Sequence, residues 1–218
     1  MTASTMSSFP LDHLPDSADL LSVEAEVVSI DGREALRVAL TPQTAAGVPD
    51  VDYIDQPTLV VLPVDFRNGR IDTDIRSGLG SDAPEYARGF AGIAYRVSDD
   101  AQQFESAYLR PTNGRKVNPP APRDVRAVQY FSYPDWKYER LRNEFPDGGF
   151  EAGADIAPDE WINFSIEVGE KRVAVTVNGE RVLELEDTMT PASSGRVALW
   201  VDIGTVAYFS NLVVTPAS

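Results

Sequence analysis

The chain has 218 residues, 43% of them hydrophobic, and a formal net charge of −15. This length and apolar content suit one domain with a sizeable core, and the acidic balance argues against nucleic acid, whose binding needs clustered Lys and Arg. The absence of cysteine excludes disulfides, thiolate metal sites and cysteine nucleophiles, and no stretch approaches the roughly 18 to 20 apolar residues of a membrane span, so we expect no membrane partner.

The chain begins with MTASTMSSFPLDHLPDSADL, which lacks the basic start and apolar middle of a signal peptide. We therefore expect the chain as given to be cytoplasmic. We predict a flexible N-terminal arm over 1–22, followed by one folded domain over 23–218. The oligomeric state is open at this point.

Short β-rich runs with turn signals between them follow the arm, a pattern typical of an all-β sandwich or barrel. The predicted strands cover 24–30, 34–41, 58–62, 69–76, 89–97, 104–110, 125–133, 161–168, 172–177, 181–186, 195–202 and 206–215. Asp31-Gly32 and Asn178-Gly179 each separate two runs and predict tight hairpins. Segment 134–145 is open between a helix and a bent strand. Long loops are expected over 41–57, 78–88, 112–124 and 147–160.

Basic residues concentrate in the middle of this acidic chain. From Arg88 to Arg142 there are ten basic and six acidic residues, a net charge of +4, while the remainder has nine basic and 28 acidic residues, a net charge of −19. A focused positive potential favours a ligand with an anionic or carboxylate group. The alternative is that these arginines pair with acids from elsewhere in the fold.

Several segments together resemble the concanavalin A-like lectin/glucanase superfamily: FRNGRIDTDIR, GFAGIAYRVSDDAQQFESAYLRP, VQYFSY, DEWINFSIEVGEKRVAVTVNG and GRVALWVDIGTVAYFSNLVV. Within it, residues 24–215 are most similar to bacterial laminin-G-like and 3-keto-disaccharide hydrolase-like sandwiches. The resemblance implies a jelly roll of two antiparallel sheets, with a small-molecule or oligosaccharide ligand on the concave sheet. Similarity of fold alone does not assign a reaction.

The run 89–113 holds the strongest candidates for ligand contact. With 98–103 as its hairpin loop, Arg96 lies opposite Glu105 on a face that also holds Gly92, and these small and charged residues suit the floor of a groove. The opposite face, with Tyr95 and Phe104, is bulkier and is expected to fill the core. As a structural ion pair Arg96 and Glu105 contribute roughly 0.2–1 kcal/mol. As functional groups, Arg96 donates to a ligand and Glu105 is the catalytic acid/base.

Further candidates for substrate binding lie beside this run. Tyr108 and Arg110 end a strand, and Gln129 is an amide in mid-strand, where a specific partner is usual. Tyr133 and Trp136 belong to an aromatic cluster whose faces suit sugar rings. The alternative for each is structural, as packing at a strand end or as a satellite core under a loop.

Known catalytic patterns are missing from the sequence. No E-x-D-x-E strand is present, which argues against a retaining glucanase. His13 is the only histidine, so a two-histidine metal site and a His-dependent triad are excluded, and keto-sugar chemistry would need Glu105 or an activated tyrosine as its base. Asp99, Asp100 and Asp202 are potential calcium ligands, although we expect neither a metal nor another cofactor.

Two classes of function remain open. The first is a lectin-like sandwich that binds a carbohydrate or glycoside-like ligand on its concave sheet, with or without hydrolysis or elimination. The second is a non-catalytic recognition or protein–protein interaction module. A flat apolar patch without convergent polar groups would indicate the second.

Overall fold

The computed structural model describes residues 5–48 and 56–217, which form fifteen strands and two short α-helices. The strands are β1 (Ser7–Phe9), β2 (Asp19–Leu21), β3 (Val23–Ile30), β4 (Arg33–Leu40), β5 (Leu59–Phe66), β6 (Gly69–Leu79), β7 (Ala91–Val97), β8 (Phe104–Leu109), β9 (Val128–Tyr133), β10 (Glu151–Ala152), β11 (Ile162–Val168), β12 (Val173–Val177), β13 (Glu180–Leu185), β14 (Gly195–Val201) and β15 (Thr205–Pro216). The helices are α1 (Pro42–Ala45) and α2 (Tyr138–Glu144).

Two antiparallel sheets are formed by the strands of the described residues. Sheet 1 has the order β13-β12-β11-β6-β15-β4-β3, with β1 also paired to β15. Sheet 2 has the order β10-β9-β8-β7-β14-β5-β2. The predicted all-β sandwich of jelly-roll type is confirmed.

Both predicted hairpin turns are confirmed. Asp31 and Gly32, between β3 and β4, have φ values of 52° and 74°, and Asn178 and Gly179, between β12 and β13, have values of 50° and 84°. Two consecutive residues with positive φ give the turn whose twist matches that of the flanking strands. Asp, Asn and Gly adopt this conformation at low cost, so these dipeptides set the pairing next to each turn, and in the second hairpin a bulge between Val175 and Thr176 then shifts it.

The two sheets differ in how their faces are covered. In sheet 1, β6 alternates between buried Ile71 and Ile75 and half-buried Asp72 and Asp74, as expected for one core face and one solvated face. In sheet 2, every residue of β7 and β8 is buried. Both faces of sheet 2 are therefore shielded from solvent at its centre.

The segment predicted as a flexible arm instead contributes to both sheets. Residues 1–4 lie outside the described residues, but β1 pairs with β15, β2 pairs with β5, and Leu11 is fully buried between them. Strands of three residues are too short to show alternation in the sequence. This part of the chain therefore belongs to the sandwich.

The remaining segments are partly as predicted. Helix α2 occupies the second half of 134–145, after a turn in which Trp136 pairs back with Ser132. The predicted loop 147–160 contains the short strand β10, and the predicted loop 41–57 contains α1, while its residues 49–55 lie outside the described residues. Among the described residues, neither helix has the length and apolar content needed to cross a membrane.

Candidate functional site

The contacts of Arg96 show which face of sheet 2 is the inner one. Its Nε donates to the carbonyl of Arg67, 2.8 Å away in the turn that joins β5 to β6. Its Nη2 donates at 2.7 Å to the carbonyl of Gly169, which follows β11 of sheet 1. Arg96 therefore points into the space between the sheets.

Glu105 lies on the same inner face and completes a closed network. Its Oε2 accepts from Arg96 Nη1 and its Oε1 from the Tyr130 hydroxyl, both at 2.6 Å. The side chains of Arg96 and Glu105 are only 1% and 3% exposed. Burial, and then the charge of Glu105, raise the pKa of Tyr130 well above its ordinary value, so its hydroxyl stays a donor. Each charge is matched by protein partners.

The predicted ion pair is confirmed, but the predicted register and face are wrong. Glu105 pairs with Tyr95 rather than with Arg96. Arg96 has a φ of 55° and lies where the pairing of β14 with β7 shifts by one residue. This bulge turns Arg96 onto the face of Glu105. Because both side chains are buried between the sheets, the geometry does not support ligand contact by Arg96 or an acid/base role for Glu105.

The outer face of sheet 2 carries most of the bulky aromatic residues, including Phe104, which was predicted to fill the inter-sheet core, whereas Tyr95 faces inward beside Glu105 as predicted. The rings of Tyr108, Phe131 and Trp200 pack together with centroid distances of 4.7 to 5.6 Å. Phe90, half-buried, meets the Tyr108 ring edge-on at 6.2 Å. Within the described residues, the buried Nε1 of Trp200 has no hydrogen-bond partner.

A second arginine network lies on this outer face, where β8 ends. Arg110 Nη2 donates to the Tyr108 hydroxyl at 2.6 Å and to Gln129 Oε1 at 2.7 Å, and its Nη1 donates to Glu151. Gln129 pairs with Tyr108 in β8 and with Glu151 in β10, which places these three side chains on one face. The sequence candidates Tyr108, Arg110 and Gln129 are thus brought together.

Glu151 is shared by three guanidinium groups. It accepts from Arg142 Nε at 2.8 Å and from Arg142 Nη2 at 2.6 Å, and Arg126 Nε lies 3.6 Å from its carboxylate. Burial alone would raise the pKa of Glu151, but the hydrogen bonds and charges of Arg142 and Arg110 outweigh it and lower the pKa. The carboxylate stays ionised and only partly neutralises the arginines around it.

Arg88 and Arg123 add further positive charge. Arg88 Nη1 donates to the carbonyls of Glu85 and Ala87, and Arg123 donates to Asn113 Oδ1 and to the Thr112 carbonyl. Neither arginine forms an ion pair with a carboxylate of residues 5–48 or 56–217. Burial, and then the positive charges of Arg123 and Arg110, lower the pKa of Arg88, and the nearby carboxylate of Glu85 only partly opposes them.

We call these five residues the arginine cluster: Arg88, Arg110, Arg123, Arg126 and Arg142. Only Arg110 was named from the sequence. The excess of basic residues over 88–142 was the signal for the rest, whereas Glu151 lies outside that range and was missed.

The predicted aromatic contacts lie elsewhere on the face. Tyr133 is at the far end of β9 from Gln129, about 13 Å away at the usual rise per strand residue, and it stacks on Phe104 with centroids 4.9 Å apart. Trp136 is covered on one face by the Arg140 guanidinium, 3.8 Å from its ring centre. Tyr133 and Trp136 therefore do not join the arginine cluster, although the Trp136 ring lies 6.1 Å from that of Phe145, which lies beside Glu151.

The potential calcium ligands do not converge. Asp99 and Asp100 follow β7, while Asp202 follows β14 at the opposite end of that strand pair. In the part of the chain that the structure describes, no group of three or more His, Asp or Glu side chains is placed to hold a metal ion.

A shallow pocket lies beside Glu151, between α2 and β10, and we call it the edge pocket. It encloses about 200 Å³ including its open mouth and is lined by Gln129, Leu141, Arg142, Phe145, Gly148, Phe150 and Glu151. Because this volume includes open solvent, the edge pocket is a shallow depression that admits at most one small chemical group.

A comparison with known protein families identifies the family of the chain. The family model of the 3-keto-alpha-glucoside-1,2-lyase-like domain matches residues 56–215. The chain belongs to this family. No curated protein matches the chain.

Solved structures share the fold at low sequence identity. A protein of unknown function with a galectin-like fold from Bacillus subtilis has 12% identity and a TM-score of 0.57, over 95% of this chain and 94% of that one. Carbohydrate binding module CBM66 from Bacillus subtilis has 12% identity and a TM-score of 0.53, over 90% and 98%. The beta-glucanase of Bacillus licheniformis has 9% identity and a TM-score of 0.55, over 98% of each chain. These likenesses show a concanavalin A-like sandwich.

Proposed function

We propose that the protein binds a carbohydrate with an anionic or carbonyl group at the arginine cluster on the outer face of sheet 2. One observation carries the proposal: three arginines share a single carboxylate, that of Glu151, and Arg88 and Arg123 add positive charge without forming an ion pair among the described residues. A guanidinium offers a planar fork of donors that matches a carboxylate.

Two members of the arginine cluster have N–H groups without a hydrogen-bond partner among the described residues. Arg88 bonds through Nη1 alone, and Arg123 through Nε and Nη2, so Arg88 Nε and Nη2 and Arg123 Nη1 make no hydrogen bond within the described residues. The like charges of Arg88, Arg110 and Arg123 also disfavour one another. A bound anion would satisfy the donors and relieve this repulsion.

Membership of the 3-keto-alpha-glucoside-1,2-lyase-like family supports a saccharide rather than another anion. The carbohydrate binding module and the glucanase with the same fold point in the same direction, although fold alone is a weak warrant for function. The convergence of polar groups also favours this proposal over a protein-interaction module, for which a flat apolar patch is expected.

Calorimetric titration with methyl glucuronoside and methyl glucoside tests the proposal. We expect the uronate to bind at least about tenfold more tightly, which corresponds to about 1.4 kcal/mol. The double variant Arg88→Gln/Arg123→Gln should lose that preference. Arg172→Gln is the matched control, because Arg172 is an exposed arginine of the other sheet that pairs with Glu184 and Glu186. Equal binding of both sugars by the wild type would contradict the proposal.

The family match favours elimination from a 3-keto glycoside as a second candidate function. A base removes the C2 proton beside the ketone, the C1–O bond breaks, and the leaving alcohol takes up a proton as the C1–C2 double bond forms. The arginine cluster would stabilise the enolate oxygen at C3. Both oxygens of Glu151 are engaged and its pKa is lowered, so it is a weak base.

Incubation with a 3-keto glucoside tests this second candidate. We expect release of the alcohol together with the ultraviolet absorbance of a conjugated enone, and both should fall in Arg110→Gln. Absence of both signals at stoichiometric protein concentration would leave binding as the function.

A further inference from the structure

The edge pocket differs from the rest of the arginine cluster because most of its wall is apolar. Leu141 and Phe150 are buried, while Phe145 is 37% exposed and forms part of the rim. The rings of Phe145 and Phe150 lie 5.1 Å apart at an angle of 57°. These side chains enclose a space suited to a small apolar group.

The polar groups of the pocket keep free N–H donors, while each of their side-chain oxygens already accepts at least one hydrogen bond. Gln129 Oε1 accepts from Arg110, and its Nε2 donates one hydrogen to the Tyr130 carbonyl and keeps a second. Arg142 bonds through Nε and Nη2, which leaves Nη1. Glu151 Oε1 accepts from both Arg110 and Arg142, and Oε2 from Arg142. A ligand group that brings an acceptor is therefore favoured in the pocket.

That acceptor should be uncharged. Arg142 is held by Glu151 through two parallel hydrogen bonds, so a charged acceptor at Arg142 Nη1 would lie beside the Glu151 carboxylate. A carbonyl oxygen accepts from Arg142 Nη1 without placing a second negative charge next to Glu151. A carbonyl oxygen attached to a methyl group has the polarity and the size that the pocket requires.

We propose that the edge pocket binds the acyl group of an N-acetylated or O-acetylated sugar. The methyl group contacts Phe145 and Phe150, and the carbonyl oxygen accepts from Arg142 Nη1. The inference rests on the proposed function, which supplies the sugar that carries the acyl group. Arg110 and Arg142 share one oxygen of Glu151, so a sugar ring at the arginine cluster can place a substituent in the pocket.

Titration with four methyl glycosides tests the inference: those of glucose, glucosamine, N-acetylglucosamine and glucuronic acid. We expect N-acetylglucosaminide to bind at least about fivefold more tightly than glucoside, with glucosaminide the weakest. Phe145→Ala should reduce N-acetylglucosaminide binding to that of glucoside, and its thermal unfolding should show that it is folded. Arg140→Gln is the matched control, because Arg140 lies on the same helix but pairs with Glu144 outside the pocket.

The outcomes separate the two proposals. A preference for uronate without a gain from the acetyl group overturns the acyl site and leaves the proposed function standing. An acetyl gain that persists in Phe145→Ala also overturns the acyl site, because the group then binds elsewhere. An acetyl gain without a uronate preference supports the acyl site and contradicts the anionic ligand. If none of the four sugars binds, both proposals fail.

Discussion

Two arginine–glutamate networks occupy opposite faces of sheet 2, and they differ in charge balance. On the inner face, Arg96 and Glu105 form a one-to-one pair whose remaining hydrogen bonds go to other protein groups. On the outer face, Glu151 is the one carboxylate bound by three members of the arginine cluster, and the other two members form no ion pair within residues 5–48 and 56–217.

Burial does not separate the two networks, since the side chains of Glu105 and Glu151 are 3% and 13% exposed. The two networks differ in the number of arginine N–H groups that make no hydrogen bond within the described residues. A buried charge with every partner in place is a structural element whose loss is costly. A group of like charges with spare donors is instead suited to a partner that arrives from solution.

The largest expected effect follows from breaking the inner pair. Glu105→Gln should lower the free energy of unfolding by about 3–5 kcal/mol, because it leaves the Arg96 guanidinium buried without a counter-charge. Denaturant titration measures the loss. The double variant Arg96→Met/Glu105→Leu should recover most of it, since neither charge then remains buried. A loss below about 1 kcal/mol in Glu105→Gln would show that the inner network is not structural.

A smaller effect is expected at the carboxylate of the outer network. Glu151→Gln should cost about 1.5–3 kcal/mol at pH 7, the usual range for a hydrogen bond to a charged group. The pKa of Glu151 is lowered from its ordinary 4.5, so its contribution is present above pH 4.5 and is lost as the pH falls through the lowered value.

Unfolding titrations of wild type and Glu151→Gln between pH 7 and pH 3 check this dependence. The difference between the two proteins should shrink toward the acid end. A difference that stays constant with pH would mean that the shape of Glu151, rather than its charge, holds the cluster.

Much of the architecture could be predicted from the sequence. Each of the twelve predicted runs overlaps a strand, because alternation and two-residue turns are local signals. Strands β1, β2 and β10 were missed because two or three residues carry too little pattern. The prediction of faces failed at Arg96, where a single backbone angle changes the side on which the side chain lies.

Of the candidate site, only the positive charge could be predicted from the sequence. The surplus of basic residues over 88–142 indicates a positive patch, but it does not show which arginines stay unpaired. That depends on Glu151, which β10 places opposite Gln129. This pairing is long-range and has no signature in either segment alone.

Exposed ion pairs on sheet 1 show how little an ion pair outside the two networks contributes to the free energy of unfolding. Arg181 bonds Glu167 at 2.6 Å and Glu184 at 3.4 Å and is 46% exposed. Arg181→Gln should cost about 0.2–1 kcal/mol. Because salt screens exposed charges, denaturant titration in 1 M NaCl should remove most of the difference. If Arg181→Gln lowers the free energy of unfolding as much as Glu151→Gln does, solvent exposure does not determine how much each ion pair contributes to stability.

The smallest effect on stability is expected where the proposed ligand binds. Arg88→Gln/Arg123→Gln removes two charges that disfavour their neighbours, so we expect the free energy of unfolding to change by less than about 0.5 kcal/mol or to rise. Sites that bind a ligand often sacrifice stability in the free protein. Denaturant titration without sugar measures the change. A loss above about 1.5 kcal/mol would show that the bonds of Arg88 and Arg123 to loop carbonyls hold the fold, and their spare donors would then no longer indicate a ligand.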